Sequence, residues 1–260
     1  MLLISSPQNA HFKRVKSLQE KARKRKEEQC FVIEGEKEIL HAQAGGFELI
    51  QLYLKEGHQP DSSINHSTKT EDIKMVSSLF ERLCYRTTST VLAIAKCKSH
   101  ALATLKLPQE NSLILIAESP EKPGNIGALL RTADAMAVDA VILAAPKTEL
   151  YNPNVIRSSV GCIFSVPIAV TDRKELFHFL AQNEIPVYSA ALAESSKPYT
   201  MFDYSKATAI AVGTEDTGLS PEWMMEKSTP IIIPMLGKND SLNVSVAAGI
   251  LLAEVQRQRN

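Results

Sequence analysis

The 260-residue sequence has little that would export, anchor or cross-link it. Its opening Met1-Leu2-Leu3-Ile4 gives way at once to polar residues, too short an apolar run for a signal peptide or a membrane span. Cys30, Cys84, Cys97 and Cys162 show no C-x-x-C spacing, so a disulfide framework is not expected and the thiols read as reduced, which suits a cytoplasmic protein. The six histidines are dispersed without H-x-x-x-H or Cys/His clustering, and no metal is assigned. Neither a Walker loop nor G-x-G-x-x-G is present, so the commonest phosphate-cradling signatures are missing. Excess charge of either sign is absent too: 29 Lys and Arg balance 29 Asp and Glu, and whole-molecule attraction to a polyanion is not implied.

The composition, 44% hydrophobic and 22% charged, is that of an ordinary folded protein. At this length the chain should hold two domains, since domains usually contain about 100–150 residues. The stretch from Ser99 to Ser112 carries Pro108, Gln109, Glu110 and Asn111 without apolar periodicity, and the boundary is expected near residue 108, giving units 1–107 and 108–260. In the first, Phe31–Glu38 reads as a short strand, a turn and the start of a helix, Leu49–Leu54 and Val91–Ala95 read as strands, and the spacing of Ile73, Met75, Val76, Leu79, Phe80 and Leu83 predicts a helix. In the second, apolar runs at Leu113–Ala117, Ala140–Ala145, Ile163–Val170, Val187–Leu192, Ala207–Gly213 and Ile231–Met235 alternate with helical patterns over 126–137, 173–183, 221–227 and 243–258. Such alternation predicts an α/β fold with a largely parallel sheet covered on both faces, whose ligands sit beyond the carboxyl ends of its strands.

Charge is uneven even though it balances. Lys13, Arg14, Lys16, Lys21, Arg23, Lys24, Arg25 and Lys26 crowd one segment in which Glu20 is the single acid. That run can hold phosphates, or it can be a solvated helix face, and charge alone does not separate the two.

Three loops carry the chemical signal. Pro123–Ala133, with Asn125, Gly127 and Arg131, follows a strand and opens a helix. Gly213–Pro221 breaks a buried-looking strand into a glycine-bracketed acidic loop, where Ser220-Pro221 suits a helix N-cap and first turn. Ile231–Gly237 ends a strand at Pro234, and Ser241-Leu242-Asn243 then introduces an alanine-rich helix. Singly, each has an unremarkable structural use: an exposed arginine, a capped loop, a tightly packed helix.

Together, and in order, the three segments resemble the motifs of the SpoU/TrmH family of SPOUT RNA methyltransferases. N-x-G-x-x-x-R is matched by Asn125, Gly127 and Arg131, and G-x-E-x-x-G-L-S by Gly213, Glu215, Gly218, Leu219 and Ser220. The third motif is matched by Ile233-Pro234-Met235 and the run Ser241–Ala248. Phe31-Val32-Ile33-Glu34-Gly35 resembles the F-x-x-E-G signature of the family's small ribosomal-protein-like RNA-binding domain. Ser158–Gly161 resembles the S-x-G-A segment between the first two motifs, with Cys162 in place of its alanine.

The resemblance implies a C-terminal parallel-sheet domain with a deep trefoil knot over about residues 207–260, which general topology rules would not have suggested, and a homodimer. It implies S-adenosylmethionine as methyl donor, leaving S-adenosylhomocysteine, held by Gly213, Thr214, Glu215, Gly218, Ile233, Met235, Leu242 and Asn243. It assigns the chemistry of 2′-O-methylation to Arg131, with Glu215, Asn125, Ser241 and Asn243 in support. Arg131 should act as a fixed cation, because a guanidinium is always protonated, with Glu215 as its orienting partner. RNA contacts are expected from Lys13, Arg14, Arg23, Lys24, Arg25, Glu34 and Arg131. Ribosomal RNA is favoured by the separate N-terminal domain. Alternatives are a tRNA 2′-O-methyltransferase, a drug-resistance methyltransferase, a non-catalytic RNA-binding or ribosome-assembly protein of the same fold, and an unrelated nucleotide-binding α/β enzyme.

Overall fold

A computed structural model describes every residue except Met1, 66–71, 109, 215 and 226–227. In chain order its first half contains β1 (Leu2–Ile4), α1 (Ala10–Glu20), α2 (Ala22–Glu28), β2 (Cys30–Glu34), α3 (Glu36–Ala44), β3 (Leu49–Lys55), β4 (Ile73–Met75), α4 (Ser77–Phe80) and β5 (Val91–Lys96). There follow β6 (Leu113–Glu118), α5 (Pro123–Ala135), β7 (Ala140–Ala144), α6 (Pro153–Ser159), β8 (Ile168–Thr171) and α7 (Arg173–Gln182). The chain ends with β9 (Val187–Ala190), β10 (Lys197–Pro198), β11 (Thr208–Val212), α8 (Glu222–Met225), β12 (Thr229–Ile232) and α9 (Val244–Arg259).

Packing divides these elements into two units, one of residues 1–99 with 149–165 and one of 100–148 with 166–260. The break thus falls between Ser99 and His100 instead of near residue 108, and the reason is local. Leu102 is buried in the core of the second unit, with Leu105 and Leu107 packed against it, and the Val170 amide donates to the His100 carbonyl. The inserted segment 149–165 joins the first unit through its rings: Tyr151 stacks on Phe31 at 4.2 Å between centroids, and Phe164 meets Phe47 edge-on at 5.1 Å.

In the first unit, β1-β4-β3-β5-β2 form a mixed sheet in which β5 runs antiparallel to both β2 and β3. Side chains alternate across a strand. From β2, accordingly, Cys30 and Val32 join a core with Phe12, Val15 and Leu18 of α1, whereas Phe31 turns to the Tyr151 ring. The helix expected around Ile73–Leu83 forms only from Ser77, because Ile73 and Met75 are both buried and pair as β4 with β3 and β1. Strand periodicity and tertiary pairing override the helical spacing there.

In the second unit seven strands, all parallel, run in the order β10-β12-β9-β11-β6-β7-β8. Every residue of β6, β7 and β11 is buried, as a parallel sheet covered on both faces requires. One face is built around Ile114, Ile142, Ala209 and Ala211 with Leu176, Leu180 and Trp223, and α5 packs on α9. The strand expected over Ile163–Val170 starts only at Ile168, since Cys162–Phe164 form a short 3₁₀ turn within the first unit. Gly161 there has φ of +91°, and a Cβ on it would come within 2.4 Å of the His41 ring, so the S-x-G resemblance reports close packing in the first unit.

Candidate active site

Because the strands of the second unit are parallel, their carboxyl ends share one edge, and loops distant in sequence meet there. The first motif follows β6, the second follows β11 and the third follows β12. Pro123 at the first turn of α5 suits a position whose amide has no partner within the helix. At the other side of the edge Asn243 caps α9: its side-chain oxygen accepts from the Ser245 amide at 3.0 Å and the Ser245 hydroxyl at 2.6 Å. The Asn243 Nδ2 donates to Asn125 Oδ1 at 3.3 Å, so the first and third motifs are joined directly.

The second-motif loop closes on itself. Thr214 and Gly218 exchange both backbone hydrogen bonds at 3.1 Å, the Thr214 and Thr217 hydroxyls lie 2.8 Å apart, and Gly218 has φ of +66°. A Cβ on Gly213 would sit 2.1 Å from the Gly218 carbonyl carbon, so only glycine fits there. The loop is then pinned from outside by Glu118, at the end of β6 and 3% exposed. Its two carboxylate oxygens accept from the Ser220 amide and the Ser220 hydroxyl, each at 2.7 Å, and Arg173 Nε lies 3.4 Å away. The Ser220 hydroxyl expected to cap the following helix therefore serves Glu118, a residue that motif reading missed. A lone acid closing an otherwise apolar buried strand was the available signal, because a buried carboxylate needs partners.

Between these loops lies a cleft lined by Ala190–Ala193, Gly213, Thr214, Gly218, Ile231–Ile233, Met235, Ser241, Leu242, Val244 and Ala247. Six expected cofactor residues, Gly213, Thr214, Gly218, Ile233, Met235 and Leu242, line it. Asn243 does not line it but stands beside it on Asn125, and Asn125 lines an adjoining recess that shares Gly213, Thr214, Asp216 and Val244. Glu215 lies outside the described residues. The walls combine apolar side chains with backbone amides and carbonyls, Thr214, Asp216 and Ser241. This donor set fits an amphiphilic ligand such as S-adenosylmethionine, with a flat apolar base, a polar ribose and a zwitterionic tail.

Arg131 is placed differently. It is exposed on α5, lines neither the cleft nor the recess, and makes no hydrogen bond or ion pair with a described residue. The structure of one chain thus brings Ser241 to the cleft and Asn125 and Asn243 beside it, and leaves Arg131 outside. Among the described residues no cluster of His, Cys, Asp or Glu is arranged to hold a metal ion, and no helix is long and apolar enough to cross a membrane. None of the four cysteines is in a disulfide, and burial pushes the Cys84 and Cys97 thiols up to about 12.

In the first unit the basic run divides. Arg25 is 4% exposed and fully occupied inside the fold, donating to Glu149 and to the carbonyls of Leu18 and Gln19. Arg14 and Lys24 both pair with Glu28; burial works against the Glu28 charge, but these two cations hold its carboxyl below the usual range. Arg23, its side chain 90% exposed, pairs with Glu27, while Lys13 is exposed. Glu34 is an organiser: it accepts from the amides of Tyr85 and Arg86 at 2.9 and 2.8 Å and from the Ser89 hydroxyl at 2.6 Å.

Residues 112–253 match the family model of the SpoU rRNA methylases, and residues 9–93 match a substrate-binding domain described as MRM3-like. A 23S rRNA (uridine(2479)-2′-O)-methyltransferase of Streptomyces viridochromogenes is 28% identical over 261 residues, covering 96% of this chain and 91% of its own. A tRNA (guanosine(18)-2′-O)-methyltransferase of Thermus thermophilus is 38% identical over 152 residues, covering 58% of this chain and 77% of its own. An AdoMet-bound rRNA methyltransferase from Sinorhizobium meliloti superposes with a TM-score of 0.86 at 26% identity, covering 98% of this chain and 97% of that one. With a matched family model spanning more than half its length and the three motif loops assembled on one sheet edge, this chain belongs to the SpoU rRNA methylase family.

Proposed function

We propose that this protein transfers a methyl group from S-adenosylmethionine to a ribose 2′-hydroxyl of ribosomal RNA. The observation that carries the reading is the hydrogen bond from Asn243 to Asn125, which closes the first motif onto the third beside the cleft built by the second and third. Ribosomal RNA is favoured over tRNA because a relative matching 96% of this chain is named for 23S rRNA, whereas the tRNA enzyme matches 58% of it. The reaction belongs in the cytoplasm, where ribosomal RNA is folded and modified.

When bound, S-adenosylmethionine supplies a methyl activated by its attachment to a positively charged sulfur. The chain's own residues then have to position a poor nucleophile and stabilise its loss of a proton. Apolar side chains of Ile233, Leu242 and Val244 hold the flat base and exclude water, while backbone groups of the 213–218 loop and Thr214 meet the polar parts. Asn125, Ser241 and Asn243 align the ribose with neutral hydrogen bonds. Arg131 supplies a permanent positive charge for the developing alkoxide or the neighbouring phosphate.

Arg131 does not line its own chain's cleft, so we assign it to a site completed in a homodimer. The exposed apolar residue Val246, 49% exposed at the start of α9, supplies contact surface on the helix that packs against α5. The C-terminal segment 207–260, which leaves β11, forms β12 beyond β9 and returns as α9 to pack on β11 and α5, is assigned the family's trefoil knot. RNA is gripped by Lys13, Arg14, Arg23 and Lys24, each of which keeps access to solvent; Arg25 is withdrawn from that group by its burial.

Calorimetry with S-adenosylmethionine and transfer of labelled methyl to ribosomal RNA test the reading. Binding of the cofactor and a 2′-O-methyl mark that vanishes from cells lacking the gene are expected. Binding of adenine nucleotides or nicotinamide cofactors alone would overturn it, and cofactor binding without transfer to any RNA would leave a non-catalytic RNA-binding protein.

A further inference from the structure

The first unit carries an exposed aromatic ring that its core does not explain. Tyr85 lies between α4 and β5 and is 70% exposed. The Arg157 guanidinium, on the last turn of α6, stands 3.6 Å from the ring centroid and so covers one face, leaving the ring's exposure to the other face and the edges. Among the described residues Arg157 forms no ion pair, although Arg25 and Arg86 beside it are neutralised by Glu149 and Glu38.

This surface is held rigidly. The Glu34 carboxylate fixes the loop through the Tyr85 and Arg86 amides and the Ser89 hydroxyl, and Arg86 ties the same loop to the buried Glu38 at 2.8 Å. Asn152 and Asn154 line the recess beside the ring and add amide groups able to read a base edge. A preorganised aromatic face, an uncompensated guanidinium and neighbouring amides are together the chemistry that captures an unpaired base and its phosphate.

We propose that Tyr85 and Arg157 form a stacking platform for an unpaired nucleobase of the RNA substrate. The proposal rests on the RNA methyltransferase reading and specifies what kind of RNA the first unit selects: a loop, bulge or single-stranded end. The base stacks on the Tyr85 face opposite Arg157, and Arg157 supplies the positive charge beside the backbone. A continuous duplex, whose bases are already stacked on one another, cannot use the site.

The full chain is titrated, at one fixed salt concentration, with a fluorescently labelled RNA hairpin carrying unpaired purines in its loop and with a blunt duplex of the same length. The parent should prefer the hairpin. Tyr85→Ala should weaken hairpin binding about tenfold, the scale of losing one stacked base, and leave duplex binding unchanged; Tyr85→Trp should retain hairpin affinity. As a second readout, ultraviolet crosslinking to fragmented ribosomal RNA should leave a nucleotide adduct on the peptide containing Tyr85. Unchanged hairpin affinity in Tyr85→Ala, equal losses on hairpin and duplex, or a parent that does not discriminate between the two would each overturn the platform. Cofactor affinity and methyl transfer by the parent are measured in parallel: if they persist while Tyr85→Ala keeps its hairpin affinity, the platform falls and the methyltransferase reading stands.

Discussion

The two units use one device for two purposes. In each, a glutamate closes a strand and holds the backbone of a distant loop: Glu34 at the end of β2 holds Tyr85 and Arg86, and Glu118 at the end of β6 holds Ser220. Each also takes a serine hydroxyl, from Ser89 and Ser220. They differ in burial: Glu118 is 3% exposed, Glu34 is half-buried and its loop opens to solvent. A desolvated carboxylate is costly to leave without partners, so the Glu118 loop is held to one geometry. The half-buried Glu34 holds a loop that faces solvent. Damage to the second unit should therefore appear in cofactor affinity and the methyl-transfer rate, and damage to the first in RNA affinity.

The largest effect expected is from Arg131→Ala, which should lower the single-turnover rate at least about a hundredfold with cofactor affinity nearly intact, the scale of losing a preorganised charge. Undiminished transfer would remove Arg131 from the chemistry. Activity regained by mixing Arg131→Ala with Asn243→Ala chains would place the two residues in a site shared between subunits; inactivity of every mixture would count against that sharing.

Next comes Gly213→Ala. Its methyl group has no room beside Gly218, and strain of about 1–3 kcal/mol should weaken S-adenosylmethionine binding tenfold or more in calorimetry. Parent-like affinity would show that the loop opens readily, against the rigidity ascribed to it.

A paired experiment tests the glutamates. Glu118→Ala leaves the Ser220 amide and hydroxyl without their acceptor, a cost of about 1–3 kcal/mol, and should weaken cofactor binding while sparing hairpin binding. Glu34→Ala should do the reverse, with a smaller loss because water replaces the carboxylate in the exposed loop. Identical profiles for the two variants would erase the distinction drawn between the units.

The smallest effect is electrostatic. Neutralising Arg23 and Lys24 should flatten the dependence of log affinity on log salt by roughly 0.7–0.9 for each phosphate that is no longer neutralised. Neutralising Arg25, buried against Glu149, should instead lower the melting temperature. A change in salt slope on replacing Arg25, or none on replacing Arg23 and Lys24, would reverse the division made within the basic run.

Much of this was legible from residues alone, and for definite reasons. Short uninterrupted apolar runs such as Leu113–Ala117 and Ala140–Ala145, alternating with helical patterns, suit strands covered on both faces, and β6 and β7 appear within a residue of expectation. The motif residues Gly213, Thr214, Gly218, Ile233, Met235 and Leu242 were assigned to one cleft, and they line one cleft. The failures occur where a partner far along the chain decides. Ile73–Met75 had helical spacing but found strands on both sides, and Arg25 looked like its basic neighbours until Glu149 claimed it. Glu118 carried no motif, since its importance lies in Ser220, about a hundred residues on.

By itself, then, the sequence determined the elements that depend on near neighbours: apolar periods that make strands and helices, glycines that alone fit a closed turn, and the set of side chains available for chemistry. Tertiary structure decided which charges remain available, which residues belong to which unit and which loops share an edge. The physical reason is that burial and pairing are properties of surroundings: Arg25 and Arg23 are two residues apart and chemically identical, yet only the fold buries one against a distant carboxylate and leaves the other in water.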